Sequence, residues 1–165
     1  MKISKDKLDI LFQLNKDLTQ NSDFIDRITI ISDTLKELMD ADRCTIYVHD
    51  EDNKTFWTSY IDGYSYLEVK DNVGIVSEVF RTKKPIIIND VESDPRFYKK
   101  LANDVEYRVR SMIAAPIIGF GNRPIGVIQM LNKHNEEGFT QEDLSILEYT
   151  LHHIVAFVEM MIKEG

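Results

Sequence analysis

The sequence predicts an α+β fold in which helices pack on a central antiparallel sheet of five or six strands. Three observations predict this class. Segments near both ends of the chain space their apolar residues three or four apart, as one face of a helix does. Two pairs of short apolar runs are each joined by a tight polar turn, which is typical of β-hairpins. The stretch between these pairs mixes short helical and strand-like patterns, so we expect it on one face of the sheet and the first, second and last helices on the other.

Length, charge and composition limit the class of protein. The 165 residues, with 43% hydrophobic and 29% charged side chains, are expected to form one globular domain, residues 1–165. The net charge of −8 argues against a nucleic-acid partner, because phosphate binding needs clustered Lys and Arg. No apolar run is long enough to predict a membrane segment. The single cysteine, Cys44, excludes an internal disulfide and fits a reducing compartment, which predicts a cytoplasmic protein.

Three long amphipathic helices are predicted. The first covers residues 4–20, the second begins after the cap-forming cluster 21–23 and ends near Asp40, and the last covers residues 140–162. Their main apolar stripes are Leu8, Leu11, Leu14 and Leu18; Phe24, Ile28, Ile31, Leu35 and Leu38; and Leu144, Leu147, Leu151, Ile154, Val158 and Met161. The first and last helices carry further apolar residues, namely Ile3, Ile10 and Phe12 in the first and Ile146, Phe157 and Met160 in the last. These extra residues exceed what one sheet covers, which predicts a partner helix.

The strands follow in order between these helices. Cys44, Ile46 and Val48 alternate with more polar residues and predict the first strand. The other predicted strands cover residues 56–61, 67–70, 86–88, 111–118 and 125–131, with hairpin turns at 50–54 and 119–124. The last strand is expected to be central because it is apolar apart from Gln129. A helix over residues 73–82 and a short helix after Pro95 are predicted in the middle of the chain.

These elements, in this order, resemble a GAF domain, a PAS-like fold, over essentially the whole chain. The segments that carry the resemblance are residues 43–50, 74–76, 85–90, 94–97, 110–117 and 126–133. The resemblance implies a small-molecule pocket between the sheet and the middle segment. It also implies signalling through the terminal helices, residues 1–20 and 140–162, and with the extra apolar residues on these helices it predicts a parallel homodimer.

A narrower resemblance concerns the end of the sheet. Asn132, Lys133, Phe139 and Asp143 match the Asn-Lys…Phe…Asp-Glu signature of the GAF domains of cyclic-nucleotide phosphodiesterases and adenylyl cyclases, and Leu144 stands at its final Glu. In that subfamily the motif implies a Lys–Asp ion pair near the pocket, which acts as a structural clasp. The match makes cyclic AMP or cyclic GMP the first ligand to consider.

The same resemblance assigns pocket residues. Thr45 is expected to meet the base, Asp62 to accept hydrogen bonds from base nitrogens, and Tyr98 to lie on a lid helix. Ile75 and Val76 open the helix whose N–H groups would face the phosphate, since an anion fits a helix N-terminus. One further polar residue, Gln129, stands where the subfamily sometimes has an acid.

Two functions of different classes are compatible with the sequence. The first is a non-catalytic sensory domain that binds a small molecule and regulates a fused or separate output domain. The second is a ligand-free dimerisation module whose pocket is filled by its own side chains, which the apolar residues Ile61, Val105 and Val109 favour. Catalysis is not predicted, because one cysteine cannot support the disulfide chemistry of GAF-fold methionine sulfoxide reductases. A metal site is not predicted either, since the neighbouring His152 and His153 point to different sides of a helix.

Overall fold

The computed structural model of the chain describes residues 3–21, 23–58, 67–95 and 108–164. Its helices are α1 (Lys5–Gln20), α2 (Phe24–Met39), α3 (Gly74–Thr82) and α4 (Gln141–Glu164). Its strands are β1 (Ala41–Asp50), β2 (Thr55–Thr58), β3 (Leu67–Lys70), β4 (Ile86–Ile88), β5 (Met112–Ile118) and β6 (Pro124–Lys133). Single turns of 3-10 helix lie at Val91–Ser93 and Phe120–Asn122. The predicted α+β class is therefore confirmed.

The six strands form one antiparallel sheet in the order β3-β2-β1-β6-β5-β4. β6 lies between β1 and β5, which confirms its predicted central position. Gly126 permits this pairing, because a Cβ at its position would lie 2.3 Å from the carbonyl oxygen of Tyr47 on β1. The two long central strands thus approach closely at the point where β1 and β6 stop pairing.

The helices α1, α2 and α4 cover one face of the sheet, which we call the helix face. Ser4 caps α1 by accepting from the Lys7 N–H at 3.3 Å, and Asp23 caps α2 by accepting from the Asp26 N–H at 3.1 Å. Asp40 ends α2 in the left-handed conformation, with φ 51°. Fully buried residues of this core include Leu14, Leu18, Ile28, Ile31, Leu35, Ile46, Ile113, Ile128, Leu147 and Ile154.

The opposite face of the sheet packs against α3, and we call it the α3 face. Cys44, Ile46 and Val48 point to the helix face, whereas Tyr47 points to the α3 face and is also fully buried. The alternation in β1 therefore separates two cores rather than a core from solvent. This smaller core contains Tyr47, Phe56, Ile75, Val79, Ile88, Val91, Val109, Met112, Ala114 and Val127.

Element boundaries differ from the sequence-based expectation mainly at strand ends. β1 begins at Ala41 and β6 extends to Lys133, because these two residues pair with each other at the end of the sheet. Thr140 precedes α4 as its cap rather than forming its first turn. The predicted strand residues after Thr58 and the predicted short helix after Pro95 lie outside the described residues.

Candidate functional site

A cavity lies on the α3 face, between the sheet and the start of α3. Its volume is about 30 Å³. The described residues that line it are Tyr47, Phe56, Val69, Lys70, Val73, Gly74, Ile75, Val76, Met112 and Gln129. The lining thus combines an apolar wall with a few polar groups, the composition usual for small-molecule sites.

The floor of the cavity is polar but uncharged. The Tyr47 hydroxyl donates to Gln129 Oε1 at 3.4 Å, and Gln129 Nε2 contacts the Met112 sulfur at 3.4 Å. The first contact is long and the second has a thioether sulfur as a weak acceptor, so the buried amide of Gln129 is weakly satisfied. Burial raises the pKa of Tyr47 above its usual range, so the phenol of the folded protein stays neutral in alkaline solution as well.

The start of α3 forms one side of the cavity. Val73 precedes the helix and provides no side-chain cap, and Gly74 begins it with φ 80°. The first N–H groups of an α-helix have no partner within the helix and carry partial positive charge. Lys70, on β3, borders the same cavity. This side of the cavity therefore receives the partial positive charge of the helix N-terminus.

The loop between β3 and α3 is fixed by Asp71. Its carboxylate contacts His49 Nε2 at 2.9 Å, and its N–H donates to the Lys54 carbonyl at 3.0 Å. Its own carbonyl accepts from the Ser77 hydroxyl within the first turn of α3. The His49 ring packs on the ring of Phe80, with 4.3 Å between centroids. These contacts hold the N-terminus of α3 against the end of β1.

The structure places four of the predicted pocket residues on the α3 face, and three of the four line the cavity. Ile75, Val76 and Gln129 line the cavity. Thr45 is buried and lies opposite Gln129 in the β1–β6 register, so it is on the same face, although it is not among the described lining residues. The other two predicted residues, Asp62 and Tyr98, lie outside the described part of the chain.

Sequence reasoning missed seven of the ten described lining residues, and two of the seven, Tyr47 and Lys70, are polar or charged. Tyr47 follows Thr45 by two positions, so the period-two rule for strands places both on one face. Lys70 stands four residues before Gly74, and its proximity to the helix start depends on the turn between them. Of the residues that favoured a filled pocket, Val109 is buried in the α3-face core, whereas Ile61 and Val105 lie outside the described residues.

The signature residues form a bonded cluster at the end of β6. Lys133 Nζ lies 2.8 Å from Asp143 Oδ1, and both side chains are largely buried, with exposed fractions of 12% and 6%. The second carboxylate oxygen of Asp143 accepts from the Thr140 N–H at 2.9 Å, while the Thr140 hydroxyl accepts from the Asp143 N–H at 3.2 Å. Asp143 thus completes a reciprocal cap of α4 while it pairs with Lys133.

The other two signature residues bind neighbouring backbone. Asn132 adopts φ 57°, and its side-chain oxygen accepts from the N–H groups of Arg110 and Ser111 at 2.7 and 3.2 Å. The N–H of the buried Phe139 donates to Asn89 Oδ1 at 2.9 Å, and the Phe139 carbonyl accepts from Asn89 Nδ2 at 3.1 Å. The cluster therefore joins the chain after β4, the chain entering β5, the end of β6 and the start of α4.

Other reactive side chains lie away from the cavity. Cys44 is a buried thiol on the helix face and forms no disulfide, and His152 and His153 are exposed on α4. Among the described residues, no group of three His, Cys, Asp or Glu side chains is arranged to hold a metal ion. None of the helices in the described ranges is long and apolar enough to cross a membrane.

Comparisons with known proteins identify the class of domain that this fold and cavity define. A family model described as GAF domain matches residues 23–156, so the chain belongs to the GAF family, a class of sensory and regulatory domains. The matched segment includes α2, the whole sheet, α3 and the first two thirds of α4. The residues after 156, which complete α4, lie beyond the family match.

Solved structures with low sequence identity share the fold. The GAF domain of a phosphoenolpyruvate-protein phosphotransferase from Acinetobacter matches with TM-score 0.80 and 18% identity, over 99% of this chain and 98% of that one. The corresponding domain from Coxiella burnetii matches with TM-score 0.81 and 18% identity, over 96% of each chain. A free methionine-R-sulfoxide reductase from Neisseria meningitidis matches with TM-score 0.75 and 15% identity, over 100% of this chain and 97% of that one. GAF domains of phosphotransferases and a reductase therefore share this fold.

Proposed function

We propose that the chain is a non-catalytic sensory domain that binds a small anionic molecule in the cavity on the α3 face. One observation carries the proposal: the N-terminus of α3, which has no side-chain cap, and the residue Lys70 border the same cavity, beside the neutral polar residues Tyr47 and Gln129. Backbone N–H groups at a helix start bind phosphate or carboxylate groups. The amide of Gln129, which is weakly bonded within the protein, is available to a polar group of the ligand.

Cyclic AMP and cyclic GMP are the ligands that we propose to test first. The cluster of Asn132, Lys133, Phe139 and Asp143 supports this choice through its resemblance to the phosphodiesterase and cyclase signature. A cavity of about 30 Å³ is smaller than a typical ligand site of about 300–1,000 Å³. A nucleotide would therefore have to move part of the wall, and the cost of that movement would link binding to a conformational change.

The proposed output is the packing of the terminal helices. α1 and α4 lie on the helix face, and each presents an exposed apolar side chain, Phe12 at 68% and Met160 at 43%. We propose that the whole chain, residues 1–165, is one cytoplasmic domain that forms a homodimer through these helices and regulates a fused or separate output domain. The buried position of the single cysteine supports the non-catalytic assignment, because a buried thiol is inert.

Thermal unfolding with and without ligand tests the binding proposal. A ligand present at 100 times its Kd raises the free energy of unfolding by about 2.7 kcal/mol. We therefore expect cyclic AMP or cyclic GMP at that concentration to raise the Tm by roughly 5–10 °C. We expect Lys70→Met to weaken this binding, whereas Lys84→Met, which alters an exposed lysine beyond the opposite end of α3, leaves it unchanged. Linear AMP serves as the ligand control. No shift with either cyclic nucleotide would rule out the nucleotide assignment, and equal effects of the two lysine variants would contradict the proposed site.

A ligand-free dimerisation module is the second candidate. The observation that favours it is the filling of the α3 face by Tyr47, Phe56 and Met112, which leave the cavity of about 30 Å³. Both candidate functions include a homodimer, and analytical sedimentation of the Phe12→Ser variant tests it. We expect this substitution to dissociate the dimer. Phe120→Ser is a matched control, because Phe120 is similarly exposed, at 72%, but lies on the β5–β6 hairpin. Dissociation by the first substitution alone, together with no ligand-induced shift, would favour the second candidate.

A further inference from the structure

The β5–β6 hairpin, residues 119–123, makes a polar contact with α3 on one side and with α4 on the other. Lys83 Nζ, at the end of α3, donates to the Asn122 carbonyl at 3.1 Å. The Phe120 N–H donates to Glu159 Oε1 on α4 at 2.9 Å. We propose that this hairpin is a mechanical strap that couples the position of α3 to the attachment of the C-terminal end of α4.

The hairpin has the geometry of a stiff connection. Gly121 and Asn122 are consecutive residues in the left-handed region, with φ 70° and 59°, as in tight hairpin turns. The Gly119 N–H closes the turn by donating to the Arg123 carbonyl at 2.8 Å. Because the two contact residues, Phe120 and Asn122, are held in one closed turn, a displacement of one is transmitted to the other.

The α3 end of the strap moves with the helix. Lys83 is the C-cap of α3, and its N–H donates to the Val79 carbonyl at 2.9 Å. Val79 is buried in the α3-face core, whereas the first residues of the same helix line the cavity. Since α3 is only nine residues long, a shift at the cavity reaches Lys83 through fewer than three helical turns.

The α4 end of the strap depends on a close fit. A Cβ at position 119 would lie 1.9 Å from Glu159 Oε1, so only glycine leaves room for this carboxylate to reach the hairpin. Glu159 lies beyond residue 156, where the family match ends. The strap therefore contacts the C-terminal part of α4, beyond the segment that the family model matches.

A separate contact holds the same end of α4 from the helix face. The guanidinium carbon of Arg27 lies 5.4 Å from the centre of the Phe157 ring. The side chain of Arg27 is buried and also donates to the Asn21 carbonyl at 2.6 Å. This contact does not involve the hairpin, so Phe157→Leu provides a positive control that loosens α4 by another route.

Hydrogen exchange in the unliganded protein tests the strap. The readout is the exchange rate of the backbone amides of residues 156–160. We expect Lys83→Met to increase this rate about three- to tenfold, the effect of losing one net hydrogen bond. Lys84→Met, the matched control at the adjacent exposed lysine, is expected to leave the rate unchanged. Phe157→Leu is expected to increase it and shows that the readout responds.

A double-mutant cycle establishes the route. Glu159→Ala removes the acceptor, and Gly119→Ala displaces the Glu159 carboxylate while both charges of the strap remain. We expect each to accelerate exchange as Lys83→Met does, and Lys83→Met to add no further acceleration in the Glu159→Ala background. The proposal is overturned if Lys83→Met matches Lys84→Met, or if its effect persists undiminished in the Glu159→Ala background. Because no ligand is used, neither outcome depends on the proposed binding function.

Discussion

The two faces of the sheet differ in the size of the core that they bury. On the helix face, α1, α2 and α4 bury the larger apolar core, together with the polar side chains of Arg27, Ser32 and Thr150. On the α3 face, one short helix covers a smaller core that contains Thr45, Tyr47, Ser77 and Gln129 as buried polar residues. The comparison indicates that the helix face buries most of the apolar surface, whereas the α3 face places two of its buried polar residues, Tyr47 and Gln129, beside a cavity.

Physical chemistry explains why this division suits a sensory domain. A buried polar group that is poorly bonded costs free energy, and a cavity lacks the dispersion contacts of a filled core. Both features lower the free energy needed to rearrange the α3 face. A ligand then needs only a modest difference in affinity between two arrangements to shift their populations. The helix face carries the terminal helices, through which such a shift would reach a partner under the proposed function.

The largest predicted effect compares matched substitutions on the two faces. Ile31 on α2 and Ile75 on α3 are both buried helical residues, at 0% and 3% exposure. We expect Ile31→Ala to lower the free energy of unfolding by about 3–5 kcal/mol and the Tm by roughly 10 °C. We expect Ile75→Ala to lower the free energy of unfolding by about 2 kcal/mol. The loss is smaller because Ile75 already borders a cavity on one side.

Urea denaturation of both variants measures this difference. The chemical change is the same at the two positions, but alanine gains more helix propensity inside α2 than in the first turn of α3, so the measured difference is a lower bound on the difference in packing. An equal or larger loss at Ile75 would show that the α3 face is as tightly packed as the helix face, and the comparison would fail.

A smaller effect is predicted at the junction of the sheet with the helix face. Asp143→Ala removes the partner of the largely buried Lys133 and also one half of the cap of α4. We expect a loss of about 2–4 kcal/mol, since an unpaired buried charge and a lost cap both destabilise the fold. Urea denaturation provides the measurement.

A second substitution separates the ion pair from the cap. Lys133→Met in the Asp143→Ala background removes the unpaired ammonium group and is expected to recover part of the lost stability. If Asp143→Ala leaves the urea midpoint unchanged, the pair is screened by solvent despite its burial, and the cluster does not strengthen the attachment of α4.

Sequence periodicity predicted the helix face well because that face is built from local patterns. The stripes of Leu11, Leu14 and Leu18 and of Ile28, Ile31 and Leu35 point to one core, as their spacing requires. The caps at Ser4 and Asp23 are similarly local, since the bonded groups lie three residues apart. The fold class and the central position of β6 followed from the same signals.

The site was predicted less completely because its contacts join distant parts of the chain. Tyr47 and Gln129 are 82 residues apart and meet only through the β1–β6 register. Lys83 and Asn122 are 39 residues apart, as are Phe120 and Glu159, and no local pattern indicates these pairs. The resemblance to GAF domains supplied the positions of Thr45 and Gln129, but local spacing did not.

The smallest predicted effect concerns the hydroxyl of Tyr47 on the α3 face. At neutral pH, Tyr47→Phe removes one long hydrogen bond to Gln129 and is expected to cost about 0.5–1.5 kcal/mol. Burial raises the pKa of Tyr47 in the folded protein, so the native state keeps this proton at pH values where the unfolded chain has lost it. The contribution of the Tyr47 phenol to the free energy of unfolding is fully present below about pH 10, the ordinary pKa of tyrosine. It is lost as the pH rises above that value, by up to about 1.4 kcal/mol per pH unit.

The Tyr47→Phe variant has no phenol at this position and does not lose stability through its titration. Its free energy of unfolding relative to the wild type should therefore rise as the solution becomes alkaline. Urea midpoints of both proteins between about pH 8 and pH 11 measure the difference, in which the titration of the remaining tyrosines and lysines cancels. A gap between the two proteins that stays constant over this range would mean that the phenol meets water in the native state. The α3 face would then be open rather than closed over a neutral polar floor, and the contrast between the two faces would lie in solvent access instead of packing.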